Sequence, residues 1–183
     1  MKRSLDIDFS FYENCQKPRF MVTGLARSMT AWASVFLTYN SVYCIHEPES
    51  ISGLRFPGNQ SIAYSSSGIL SLLPVGKFMD CPIAIIDRDA DQAFQSFSSL
   101  FKSDISESSD LFMDESDKAN RLQEERGDNV RRFSFEKLSN GDVEEAHNLF
   151  EHCHGKRAFY DSFRTSLLLD MNIQSKSVEL LEA

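Results

Sequence analysis

Gly24, Arg27, Ser28 and Thr30 stand close together, between the apolar run Phe20-Met21-Val22 and a helical pattern that begins at Ser28. A chain that leaves a buried strand and enters a helix there presents free N–H groups and the positive end of the helix dipole, which together hold negative charge. Gly24 lets the backbone come close to a phosphate. Arg27 adds a permanent forked cation, and Ser28 and Thr30 add hydroxyl donors. The segment lacks Gly-Lys-Ser/Thr, so it is not the loop that organises a nucleoside triphosphate and magnesium. Its competing local reading is a plain strand-to-helix turn capped by Ser28.

A second group lies downstream. Arg88 follows the apolar run Pro82-Ile83-Ala84-Ile85-Ile86, and Ser96 comes two helical turns later. An Arg at a strand end and a Ser on the next helix can converge on one phosphate if the loop between them folds back. The local alternative pairs Arg88 with Asp87, Asp89 or Asp91.

Candidate general bases are His46 and Glu47, at the end of Ser41-Val42-Tyr43-Cys44-Ile45-His46. His titrates near neutrality, and a partly buried Glu does so too. Glu47, beside Pro48, opens the loop expected to face the donor and is preferred slightly. The Ser65-Ser66-Ser67-Gly68 turn could also face the pocket, though such turns mostly cap helices. His152-Cys153-His154 does not form a ligand set, because adjacent helical residues diverge, and no metal site is expected. His147, His152 and His154 read as surface residues, and Trp32 as a packing residue. Cys15, Cys44, Cys81 and Cys153 are widely spaced and read as reduced and structural.

The elements that must hold these residues alternate. Phe20–Val22, 41–46, 61–65 and 82–86 read as strands, the apolar ones buried on both faces as in a parallel sheet. Trp32, Val35, Phe36 and Tyr39 recur at helical steps, as do Ala93, Phe94, Phe97 and Leu100. Pro48 ends the second strand. Residues 102–128, rich in Ser, Asp and Glu with a charged helical piece around Asp117 to Arg126, read as a mobile insertion or lid in preference to a packed helix. Strand character returns over 130–138. Helices follow over 142–153, with Asp142 as N-cap and Glu145 at capping-box spacing, and over 157–169. The pattern predicts a single domain over 1–183, an α/β fold with a central parallel sheet in three layers, α/β/α. Ligands of such sheets collect beyond the carboxyl ends of the strands.

Bulk properties narrow the function classes. The chain has 183 residues and a formal charge of −8, which argues against tracking nucleic acid by phosphate neutralisation. No apolar run is long enough for a transmembrane helix, and the first residues lack a signal-peptide centre, so a cytoplasmic protein with no membrane partner is expected.

Thr23-Gly24-Leu25-Ala26-Arg27-Ser28-Met29-Thr30-Ala31-Trp32 resembles the 5′-phosphosulfate loop of the sulfotransferases that use 3′-phosphoadenosine 5′-phosphosulfate. Ile83-Ala84-Ile85-Ile86-Asp87-Arg88-Asp89 with Ser96 resembles that family's 3′-phosphate motif, and Phe133 to Leu138 resembles its later strand. Met29 stands where the family commonly has Gly, Ala26 where Pro is usual, and Asp89-Ala90-Asp91 where Asp-Pro-Arg is usual. The resemblance implies a P-loop nucleoside-triphosphate-hydrolase-like fold. It also implies a 5′-phosphosulfate held by Arg27, Ser28, Met29, Thr30 and Ala31, and a 3′-phosphate held by Arg88 and Ser96. The activity implied is sulfuryl transfer to a hydroxyl or amine of a small molecule, glycan or peptide, with no metal required. The alternatives are a P-loop nucleotide kinase or phosphotransferase, and a non-catalytic nucleotide-binding protein.

Overall fold

Runs that are apolar on both faces need cover on both faces, and here they find it. A computed structural model describes residues 17–48, 61–67, 69, 80–101, 109–156, 158–162 and 165. Its strands are β1 (Met21–Gly24), β2 (Val42–His46), β3 (Ser61–Ser65), β4 (Ile83–Asp87) and β5 (Val130–Ser134). All pair in parallel, in the order β2-β3-β1-β4-β5. The helices are α1 (Thr30–Phe36), α2 (Ala90–Phe101), α3 (Ser109–Arg126), α4 (Phe135–Ser139) and α5 (Val143–His154). Among the described residues no helix is long and apolar enough to cross a membrane.

Alternate side chains of the strands feed two separate cores. On one face Val22, Cys44, Ala63, Ala84, Ile86 and Phe133 pack with Trp32 and Phe36 of α1 and with Leu149 and Phe150 of α5. On the other, Met21, Ile62, Tyr64, Ile83, Ile85 and Val130 pack with Ala119 and Leu122 of α3. Helices thus cover both faces, as the expected three layers require. Trp32 is 2% exposed and stacks on Phe36, so it is a packing residue. Burial of an aromatic of this size contributes about 1.5–3 kcal/mol. Cys44, Cys81 and Cys153 are buried; Cys15 lies outside the described residues.

One helix expectation is extended and two expectations are corrected. The charged helical piece expected around Asp117 to Arg126 grows into α3, which with α2 lies between β4 and β5. Its sparse apolar residues Phe112, Ala119 and Leu122 are all buried, and the rest of its surface is polar. Phe135 to Leu138 is not strand but helix, because the Ser134 hydroxyl accepts from Lys137 N–H at 3.2 Å and caps it. His152 and His154 are not surface residues. Each ring donates from Nε2 at 3.0 Å, His152 to the Ile83 carbonyl and His154 to that of Leu37, and His154 also packs on Phe20 and Phe150. Asp142 does cap α5, accepting from Glu144 and Glu145 N–H at 3.0 Å. Most of the expected helix over 157–169 lies outside the described residues.

The strand order has a consequence for ligands. From β1 the chain leaves for the β2 edge of the sheet, and from β4 it leaves for the β5 edge. The loops after these two adjacent strands therefore part, and the crevice between them is the place where open α/β sheets bind ligands.

Burial depresses the pKa of both His152 and His154 below the ordinary value, outweighing the hydrogen bonds that oppose it. A histidine kept neutral in the native state binds a proton more readily once unfolded, so stability falls as pH drops below about 6.5. Urea midpoints at pH 7.5 and 5.5 should differ in that sense, and His152→Gln should shrink the difference.

Candidate functional site

The crevice is built first by close approach. A Cβ on Gly24 would sit 2.5 Å from the Ile86 carbonyl oxygen and 3.1 Å from the Ser28 Cβ. Gly24 therefore serves space rather than an unusual φ: it lets the end of β1 close against β4. The loop that follows, Leu25 to Met29, is anchored by Leu25 and Ala26, which pack on Ala93, Phe94 and Phe97 of α2 and Phe112 of α3.

Within this loop Arg27 has φ 72° and Met29 has φ 61°, with Ser28 between them on the ordinary side. Alternation of hand turns N–H groups toward one side, the concave arrangement that receives anions, but the Ser28 N–H is itself taken by the Leu25 carbonyl at 3.1 Å. Each left-handed residue costs about 1–2 kcal/mol. Met29 occupies the position where the resembled family commonly has Gly, and its φ explains that preference. Two contacts help to hold the conformation. Arg88 Nη1 donates to the Arg27 carbonyl, and the buried Ser65 hydroxyl donates to the Thr30 carbonyl at 2.7 Å. Ser28 does not cap α1. The N-cap is Met29, with no side-chain cap bond, and the Ser28 hydroxyl is fully buried and meets no partner.

Two guanidiniums meet over this loop. Arg27 Nε donates to the Ser96 hydroxyl at 3.4 Å, and Arg88 touches the Arg27 backbone. Among the described residues no carboxylate forms an ion pair with either one. The carboxylates nearest in sequence are occupied elsewhere: Asp87 pairs with Arg132, and Asp89 caps α2 by accepting from Gln92 N–H at 2.9 Å. The local pairing of Arg88 with its acidic neighbours is thus not what the fold adopts. Burial lowers the pKa of both groups, and the charge of Arg27 lowers that of Arg88 further. Glu136 and Asp89 offset part of this for Arg88 without forming an ion pair, and an anion between the two guanidiniums would relieve what is left. On the β5 side of Arg88 a cleft of about 410 Å³ is lined by Asp87, Asp89, Asp91 and Glu136. Those carboxylates repel an anion from that side.

The candidate bases reach the same loop from β2. His46 Nε2 lies 3.4 Å from Thr30 Oγ1 and 3.7 Å from Glu47 Oε1. Both contacts fall on one nitrogen, so the three side chains do not relay a proton through the ring. Glu47 sits at φ 45° and its N–H donates to the Ser65 carbonyl at 2.8 Å.

The structure therefore gathers the expected residues at one end of the sheet. Gly24, Arg27, Ser28, Met29, Thr30 and Ala31 form or flank one loop, Ser96 and Arg88 contact Arg27, and His46 contacts Thr30. Among the described residues no group of three or more His, Cys, Asp or Glu side chains is placed to hold a metal. Ser65, from the turn expected to face the pocket or cap a helix, supports the loop through its bond to the Thr30 carbonyl. One contributor escaped sequence reasoning. The Phe135 ring lies under the Arg88 guanidinium, 4.1 Å from Cζ to the centroid, and was hidden by the strand-like spacing of Phe133 and Phe135.

Gly24→Ala should lower stability by about 1–3 kcal/mol, since the new methyl meets backbone rather than a flexible side chain. Met29→Gly should range from neutral to about 1 kcal/mol stabilising, because relief of the left-handed backbone is offset in part by glycine's entropy. Urea unfolding measures both, and equal losses in the two variants would contradict the loop geometry. No family model, curated protein or solved structure matches the chain, so a functional reading has to stand on this geometry and on the motifs.

Proposed function

We propose that this chain is a sulfotransferase-like enzyme of P-loop-like fold. It takes 3′-phosphoadenosine 5′-phosphosulfate as donor and passes the sulfuryl group to a hydroxyl or amine acceptor. The observation that carries the reading is the meeting of Arg27 and Arg88, partly buried and free of carboxylate partners, across the crevice between the loops after β1 and β4. Two cationic centres, one on an N–H-rich loop and one at the next strand end, suit a ligand with two separated phosphates. The resemblance supplies the identity of that ligand.

In this reading the loop N–H groups of Met29, Thr30 and Ala31, with Arg27, hold the 5′-phosphosulfate, and Arg88 with Ser96 holds the 3′-phosphate. His46 Nε2, which contacts Thr30 of the loop, takes the place of Glu47 as the preferred base and accepts the proton of the acceptor hydroxyl. The freed oxygen attacks sulfur, the bond from sulfur to the 5′-phosphate oxygen breaks, and the negative charge left on that phosphate falls to the loop and Arg27. Glu47 Oε1 lies 3.7 Å from the same nitrogen. This chemistry needs no metal. The kinase alternative is less well supported, because Asp87, the strand-end carboxylate beside the loop, is engaged by Arg132 and no Lys stands in the loop. The buried free thiols of Cys44 and Cys153 accord with a cytoplasmic setting.

Isothermal titration with 3′-phosphoadenosine 5′-phosphate tests the binding half, and absence of binding at several hundred micromolar overturns it. Arg88→Ala should reduce the preference for that ligand over adenosine 5′-phosphate by about 10- to 100-fold, the loss of a charged hydrogen bond. His46→Ala should lower the transfer rate by about 10²- to 10⁴-fold while leaving nucleotide affinity nearly unchanged.

A further inference from the structure

Arg88 stands among carboxylates and pairs with none of them. Asp87, Asp89, Asp91 and Glu136 line the cleft that it also lines, yet its observed contacts are the Arg27 carbonyl and the face of Phe135. Its Nε is buried and meets no acceptor. A flexible cationic side chain in such a place needs something to hold it off the acids.

The fold puts the ring there by register. Asp87 of β4 lies opposite Ser134 of β5, so the next residues along, Arg88 and Phe135, come level with each other. Ser134 is itself fixed: its N–H donates to Glu145 Oε1 of α5 at 2.7 Å, and its hydroxyl caps α4. Phe135 is partly buried against the core cluster of Phe133, Leu138 and Phe150, so the ring cannot swing away freely. The guanidinium is thus held from beneath by the aromatic face and at one nitrogen by the Arg27 carbonyl.

We propose that Phe135 is a positioning residue that sets the specificity of the site for a 3′-phosphate, by keeping the Arg88 guanidinium on an aromatic face and away from the carboxylates of the cleft. This rests on the bisphosphate reading above. Loss of the ring frees Arg88 to fall toward Glu136 or Asp89, and the loop that holds the 5′-phosphate retains its own contacts.

The test is titration of wild type, Phe135→Met and Phe135→Tyr with 3′-phosphoadenosine 5′-phosphate and with adenosine 5′-phosphate. Phe135→Met keeps the volume without a π face, and should reduce the preference for the bisphosphate by about tenfold, the range of a partly desolvated cation–π contact. Phe135→Tyr should keep the preference, and affinity for the monophosphate should stay within about twofold of wild type in both variants. If Phe135→Met fails to fold, Phe135→Leu carries the same comparison. A π-free variant that keeps the wild-type preference, or that loses both nucleotides equally, overturns the inference while leaving the bisphosphate reading intact. Failure of wild type to bind the bisphosphate overturns both.

Discussion

The site depends on how closely the end of β1 can approach the end of β4. With hydrogen alone on the Gly24 Cα, the strands stay in register to Gly24 and Ile86, and the loop after β1 emerges beside the start of the loop after β4. Only at that separation can the Arg88 guanidinium reach the carbonyl of Arg27. A methyl at residue 24 would press on the Ile86 carbonyl, which belongs to the sheet and cannot yield without loosening the ladder. Packing and electrostatics are thereby linked, because the contact that seals the two strands also brings the two positive charges together.

Charges of one sign gathered without a partner usually mark function rather than stability. Here the rest of the surroundings sharpens the effect. Arg132 pairs with Asp87, and Asp89 caps α2, so neither acid forms an ion pair with Arg88. The left-handed residues Arg27 and Met29 are strained, and the contacts from Arg88 and Ser65 help to maintain them. The loop is therefore pre-shaped, and an anion that enters it meets N–H groups already turned toward it rather than having to order them.

What could be read in advance followed from patterns that extend over several residues. Strands buried on both faces announce themselves as continuous apolar runs, and Met21–Gly24 and Ile83–Asp87 were found nearly to the residue. The paired cationic segments were visible because residue type and order survive without structure. What escaped was whatever depends on the neighbour. In α3 only Phe112, Ala119 and Leu122 face inward, and Leu111 and Met113 are more than half exposed, so the apolar residues trace no clean stripe. At 133–135 Phe-Ser-Phe alternates as a strand does, and only the Ser134 cap reveals the turn into helix. The burial of His152 and His154 is set by carbonyls of β4 and of the turn after α1, which no local pattern around those histidines encodes.

The parts of the crevice are distant along the chain: the Arg88 to Arg27 hydrogen bond spans 61 residues and the Arg27 to Ser96 bond spans 69. Parallel strands cannot be joined by a tight turn, so these contacts form only after long loops have closed, late on the way from the unfolded chain and together with the central pairing of the sheet. No fragment on one side of that closure holds both cations. A molecule that bridges Arg27 and Arg88 therefore recognises the finished sheet and nothing earlier, and its binding energy adds wholly to the native state.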